Sequence, residues 1–349
     1  MRSLAFALLL ASTAATTFAA PLNPDISVIG DARLHWSDLD SDDRTELDFH
    51  ELELAFVGPL NPYASAEAYL AIHGDEGVEV EEAKLLLDRY FPGGFGLTAG
   101  RLLLDFGQIN AVHAHAYPWA DRPLAHQEFF GEDGARDVSV RLDWIAPTEG
   151  VHVQATAGLL RGESLLGGHA HEADAEAEEE PDPELGGSAR VALFAEPSSS
   201  LAIQFGVSAL HGTFDPDEDA KATWIDVDAK AKLDLGPNRA LVLHGEGVFG
   251  DRDETAEGPA AKPRGFFGAA DLRVSARWNV GGFAESATDV DDDEITTQRW
   301  GGFLGLALME ETTVFRLVGR ITDPEEGEDV AEALVQAIFA LGPHRPHRY

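Results

Sequence analysis

Hydrophobic and polar residues alternate one by one along much of this chain. Val28, Gly30, Ala32, Leu34 and Trp36 share one face, and Asp31, Arg33 and His35 share the other, with Ile29 as the exception. Leu52, Leu54 and Phe56 alternate with Glu51 and Glu53. Val138, Val140, Leu142 and Trp144 alternate with Ser139, Arg141 and Asp143. Ile225, Val227, Ala229, Ala231 and Leu233 alternate with Asp226, Asp228, Lys230 and Lys232. Phe315, Leu317, Gly319 and Ile321 do so with Arg316 and Arg320. A period of two held over about ten residues is that of a strand with lipid on one side and water on the other. Soluble strands usually run about five or six residues, so these are long for a sandwich.

The connections sort by side. Every second one is a short Pro-, Gly-, Asn- or Ser-rich turn: 58–62, 92–95, 146–150, 196–200, 236–239 and 309–312. The others are mostly longer and acidic: 38–46, 107–137, 161–187, 212–221, 250–264, 289–294 and 323–329, with 74–77 as the short exception. Short turns on one rim and long loops on the other mark a transmembrane barrel. The pattern predicts an all-β, antiparallel, up-and-down barrel of about 16 strands (range roughly 14–18), wide enough to leave an aqueous channel. An even count puts both termini on the periplasmic side. Trp36, Tyr63, Tyr90, Trp144, Trp224 and Trp278, near strand ends, are expected in the interface girdles or in ordinary packing. The final strand, 333–342, is less regular, because Leu334 and Ile338 fall on its expected lumen face.

Composition narrows the choice. The 349 residues include 62 Asp and Glu against 25 Lys and Arg, a formal net charge of −37. Such a surface repels nucleic acid and favours cations. Disorder throughout would need low hydrophobicity, whereas 44% of these residues are hydrophobic. The absence of cysteine excludes disulfides, thiolate metal sites and a lipid-modified N-terminal cysteine.

Residues 1–20 read as a signal peptide: Arg2, an apolar run from Leu4 to Leu10, then small residues with a cut expected after Ala19 or Ala20. The run is shorter than the roughly 20 residues of a membrane helix. The mature chain, 21–349, is expected to form a single barrel in the cell outer membrane.

The chemistry-bearing residues concentrate in 107–137, a loop after the fifth predicted strand that holds His113, His115, Trp119, Asp121, His126, Glu128, Glu132 and Asp133. An unpacked loop of that length is unusual, so an inward-packed constriction is expected. A hydrogen-bonded loop without metal, and so no cofactor, is the reading taken; the alternative makes His113, His115 and His126, with Asp121 or Glu128, ligands for a divalent metal such as zinc. The tract 165–187, with His169, His171 and a run of acidic residues, reads as a disordered outer loop. Asp289, Asp291, Asp292, Asp293 and Glu294 form another acidic loop, whose spacing is not that of an EF-hand; calcium bridging it to lipid phosphates is a second metal expectation.

The lumen face is expected to carry Arg33, Arg141, Lys230, Lys232, Arg316 and Arg320 as bases and Glu51, Glu53 and Asp143 among its acids. Such rows either set up a transverse field or pair inside a filled barrel. No Gly-x-Ser-x-Gly, His-Glu-x-x-His or phosphate loop occurs, so no enzyme is expected.

Several short stretches resemble a known family. They are Asn23 to Ile29, Gly100-Arg101, Phe106-Gly107, His113-Ala114-His115, Asp121 to Leu124, Gln127 to Gly131, Asp143 to Thr148, Arg161 to Ser164 and Leu341 to His344. Together they resemble bacterial outer-membrane proteins labelled zinc-regulated TonB-dependent receptors, which are similar to phosphate-selective porin-type barrels. The resemblance implies an outer-membrane barrel with a link to zinc; separately, the terminal apolar strand and the aromatic last residue, Tyr349, look like an end read by the outer-membrane assembly machinery.

These readings lead to a porin-like channel for passive diffusion of small solutes or ions, with a cation-enriching mouth and loop 107–137 at the constriction. A zinc-binding or other divalent-metal uptake protein and a non-transporting structural or adhesive barrel are the alternatives. Outer-membrane lipid and lipopolysaccharide are the expected surroundings, no nucleic acid is expected as a partner, and a homotrimer is one assembly open to such a chain.

Overall fold

A computed structural model describes residues 23–342, except 40–43, 75–76, 89, 167–181, 257, 309–311 and 326. The expected signal peptide and most of the acidic tract 165–187 lie outside the described residues. Among those described, sixteen strands follow one another. They are β1 Asp25–Ser37, β2 Thr45–Asn61, β3 Ala64–His73, β4 Gly77–Leu86, β5 Phe95–Leu103, β6 Arg136–Ile145, β7 Val151–Leu160 and β8 Gly186–Ser198, then β9 Leu201–Asp215, β10 Ala220–Gly236, β11 Arg239–Arg252, β12 Arg264–Arg273, β13 Trp278–Thr288, β14 Thr296–Leu308, β15 Thr313–Pro324 and β16 Val330–Leu341. Each pairs antiparallel with the next, and β16 returns to β1 from Val28↔Leu341 to Ser37↔Glu332. Closure leaves no sheet edge to satisfy in hydrocarbon. The count and topology are those that the alternation predicts.

Burial runs opposite to that of a soluble protein. On β10, Ile225 and Val227 are each 37% exposed, while Asp226 and Asp228 between and beside them are 0% and 1% exposed. Val191 on β8 is exposed and its neighbour Arg190 is buried. Charges inside and aliphatics outside are stable only where the outside is lipid.

The lumen is filled by residues 104–135, which contain a short 3₁₀ turn, Ala114–Ala116, and one helix, α1 Leu124–Phe130. The irregular alternation of the last strands has its cause here. Leu334, with Phe267, Phe283, Phe303 and Val318 on β12 to β15, presents an apolar lumen patch to Ile109, Tyr117 and Trp119 of the loop. A second cluster joins Phe106, Phe129 and Phe130 to Trp224, Leu210 and Val248.

Trp224 therefore departs from the girdle expectation. It is 3% exposed and stacks on Phe129, with ring centroids 4.8 Å apart. Its parity with Asp226 already points it inward. Trp36, Tyr63, Tyr90 and Trp278 are exposed on the outside as expected, and Trp144 stacks on Phe95.

Candidate functional site

The inward loop leaves the wall after β5 and is tied at its neck. Asn110, fully buried, donates through Nδ2 to the carbonyls of Leu104 and Ala135, each at 2.8 Å, and its Oδ1 accepts from Ala135 N at 2.7 Å. Two glycines permit the path. Gly107 (φ +67) lies so close to the wall that a Cβ would strike Glu246, and Gly134 (φ +73) lies against Asn110 and Arg122 in the same way. Both occupy the left-handed region that side chains disfavour.

Beyond the neck the loop is hooked to most of the lumen wall. Ser208 on β9 accepts from Gly107 N at 3.0 Å. Asp228 on β10 accepts from the Gln108 amide. Glu246 on β11 accepts from the backbone of Gln108 and Ile109 at 3.1 and 3.2 Å, and its other oxygen lies 2.7 Å from His126 Nε2. Glu285 on β13 accepts from Leu124 N at 2.7 Å. Arg316 on β15 donates to the carbonyl of His115 at 2.8 Å. Asp121 sits between Arg33 on β1, at 2.7 Å, and Arg320 on β15. Burial alone would raise the Asp121 carboxyl, but the two guanidiniums, Arg320 foremost, hold it down at about 2.

On the remaining side the loop meets β2 and β4, where the strands bulge. Asp31 faces Glu51 while Ala32 faces Phe49, so His50 is an extra residue on β2. Tyr69 faces Glu82 while Leu70 faces Val80, so Glu81 is an extra residue on β4. A bulge turns two consecutive side chains to one face. Glu81 and Glu82 both point inward, and Glu82 is buried. Between the bulges, Ala71 on β3 pairs with Glu53 on one side and Glu79 on the other.

His113 Nδ1 lies 3.2 Å from Glu53 Oε2 and 3.4 Å from Glu81 Oε2, and its Nε2 lies 3.2 Å from Glu82 Oε1. Burial alone would lower the affinity of this imidazole for a proton. Its contacts with Glu81 and Glu82 and the charge of Glu53 outweigh that and raise it well above the ordinary value. The His115 ring stacks beside it, centroids 5.8 Å apart.

Two spaces remain beside the loop. A cavity of about 650 Å³, lined by Glu53, Glu82, Gln108, His113, Arg190 and Lys230 among others, extends to the short-turn side at Asp25, Pro59 and Asp88. A smaller one, of about 180 Å³, lies towards the long-loop side, between Arg33, His35, Glu46, His50, Asp121 and Arg320.

The residues expected in the constriction are thus all in the inward segment or at its end, in different roles. Trp119 packs on Phe267, with centroids 4.7 Å apart, Glu128 accepts from Val290 N at 3.3 Å, Asp133 pairs with Arg136 at 2.9 Å, and Glu132 is exposed. The expected metal triad is corrected. Among the described residues, three groups have ligand geometry, and none contains two of His113, His115 and His126. The turns that the chain makes between residues 115 and 126 carry His126 across the lumen to Glu246.

Opposed charge rows give way to local pairing. Arg33 bonds Asp31 at 2.9 Å, Arg190 bonds Asp228 at 2.6 Å, Arg299 bonds Glu285 at 2.6 Å, Arg141 bonds Asp143 at 2.7 Å and Arg320 bonds Glu332 at 2.7 Å. Arg316 also bonds Gln336 at 3.0 Å. Lys230 lines the larger cavity, and Lys232 is exposed towards the short turns. Sequence reasoning missed Glu82 and His50, because strict alternation places residue 82 outside and residue 50 in no site; only the bulges turn them in.

No family model matches this chain. The anion-selective porin of Comamonas acidovorans superposes on it with a TM-score of 0.60 at 13% identity, over 91% of this chain and 99% of that one. The fold is that of the outer-membrane porins. The outer-membrane channel DcaP of Acinetobacter baumannii gives a TM-score of 0.57 at 10% identity, over 91% and 98%. The trimer form of OmpT of Vibrio cholerae gives 0.59 at 10%, over 91% and 100%. Among curated proteins, an uncharacterized protein of Aquifex aeolicus is 26% identical over 252 residues, 66% of this chain and 52% of its own. The chain spans about half the length of that relative.

Proposed function

We propose that this protein is a porin-like outer-membrane channel for passive diffusion of small hydrophilic solutes or ions, with residues 104–135 setting its width. One observation carries the reading: a loop hooked to the wall on nearly every side, with a polar space on each side of it, inside a barrel whose outer face is apolar. A loop held this way is a fixed filter, because each buried hook must break before it moves. The test is stepwise conductance of the purified, folded protein in planar bilayers, with no energy source and no partner. Absence of conductance from folded protein overturns the reading and favours a metal-uptake protein or a non-transporting barrel.

The channel prefers cations. Glu51, Glu53, Glu81 and Glu82 give one side of the lumen an acidic excess, and the outer loops add Asp289 and Asp291 to Glu294. Acidic mouths with low-dielectric walls raise the local cation concentration. The reversal potential in a salt gradient decides this, and an anion-selective reading sinks it. Trimeric assembly, as in the OmpT form named above, is the expected state, checked by the mass of the detergent-solubilised, unheated protein.

A further inference from the structure

We propose that Glu53, Glu81 and His113 bind one transition-metal dication of the zinc class inside the lumen, with Glu82 orienting the imidazole. Their ligand atoms all lie within 4.8 Å of one another. Two metal–ligand bonds of about 2.1 Å at a tetrahedral angle place the ligand atoms about 3.4 Å apart. His113 Nδ1 stands 3.2 and 3.4 Å from the two carboxylate oxygens.

The ion-pair contacts of His113 do not satisfy the whole cluster. Both oxygens of Glu53, Oε2 of Glu81 and Nδ1 of His113 are buried with no hydrogen-bond partner. Glu53 is 1% exposed. Neighbouring carboxylates are held: Glu82 by Lys84 at 2.7 Å, Glu79 by Arg136. Among the described residues, no Lys or Arg forms an ion pair with Glu51, Glu53 or Glu81. Imidazoles are the one source of positive charge in contact with them among those residues, and a single imidazolium leaves so many buried carboxylates undercompensated, which is unfavourable.

Orientation is built in as well. Glu82 Oε1 lies 3.2 Å from Nε2, so when a dication displaces the Nδ1 proton, Glu82 retains the Nε2 proton and Nδ1 is left to ligate beside Glu53 and Glu81. A carboxylate behind a histidine ligand sets tautomer and ring angle in this way. Tyr69 packs against the ring, centroids 5.0 Å apart. One imidazole with two carboxylates selects a borderline dication over magnesium or calcium, which take oxygen ligands. Glu53 and His113 line the larger cavity, which provides the entry path. Of the two other mixed clusters among the described residues, Glu51, Glu53 and His115 shares Glu53 with this site, and His126, Asp226 and Glu246 is less suited, since Glu246 already accepts from the loop backbone and contacts His126.

The experiment is calorimetric titration of the folded, full-length protein in detergent with zinc chloride. One saturable site is expected. Glu53→Gln and His113→Ala each weaken it at least tenfold, Glu82→Gln weakens it about 10- to 100-fold, and Glu149→Gln, exposed in the short turn 146–150, leaves it unchanged. X-ray absorption of the zinc-loaded wild type needs no variant to fold: it should show one imidazole nitrogen among oxygen neighbours. No saturable binding, wild-type affinity in both ligand variants, or a shell of oxygen alone overturns the proposal. Conductance enters none of these readouts, so the channel reading stands or falls separately.

Discussion

His126 Nε2 lies 2.7 Å from Glu246 Oε1, and both side chains are 1% exposed. This contact joins the only α-helix among the described residues to β11, while the other Glu246 oxygen receives the backbone of the loop's first turn. One carboxylate thus fixes the loop at two separate points, Gln108–Ile109 and His126. Removing that carboxylate leaves buried donors unsatisfied, at roughly 1–3 kcal/mol for each. Glu246→Ala is expected to lower the urea midpoint of the folded barrel and to raise single-channel conductance as the loop swings free. Unchanged conductance in a destabilised variant would remove the loop from the constriction.

Asp121 supplies a pH test. Its carboxyl is held at about 2 in the folded state against an ordinary value of 3.8. A depressed carboxyl contributes stability that is present in full above its unfolded value and is lost as pH falls through the folded one. The stability gap between wild type and Asp121→Asn should therefore be constant from neutral pH down to about 4 and close by about 2. A gap that instead grows on acidification would contradict the ion pairs with Arg33 and Arg320.

Trp224 and Trp278 separate inside from outside. Trp224 stacks on Phe129 and meets Phe130 at 5.3 Å, whereas Trp278 is 42% exposed. Trp224→Ala should cost about 3–5 kcal/mol, as for a large core aromatic, and should also alter conductance, because α1 loses its seat. Trp278→Ala should leave conductance alone. Equal effects on both readouts would place the two residues in one environment, against the structure.

The lipid-facing surface is open to a charge scan. Val227 points outward beside Asp226 and Asp228, and pairs across strands with Val207 and Gly247. Val227→Arg is expected to destabilise the barrel by about 2–4 kcal/mol if it lies near the bilayer midplane, measured by refolding into vesicles, while Val227→Leu is close to neutral. An arginine tolerated there without loss would mean that this face does not meet hydrocarbon.

Much of this was legible residue by residue. The alternation in β10 fixes which of its side chains meet lipid, and parity alone moves Trp224 from the rim to the lumen. The apolar residues at lumen parity, from Phe267 to Leu334, mark where a loop must pack, since no wet lumen needs them. Glu82 escaped because a bulge at Glu81 breaks the parity on which the reading depends, and no residue type announces such a bulge. Glu246, the partner of His126, escaped for a different reason: it is 120 residues away in the chain, and the path of the loop, not its composition, selects it.

The sequence by itself determined a closed, inside-out barrel of about sixteen strands, because a period of two obliges each strand to show one face to lipid and closure satisfies the backbone. Tertiary structure alone decided what the lumen holds. The course of residues 104–135 and two strand bulges brought His113 to Glu53 and Glu81 and sent His126 to Glu246, since contacts between distant segments depend on geometry that local patterning does not encode.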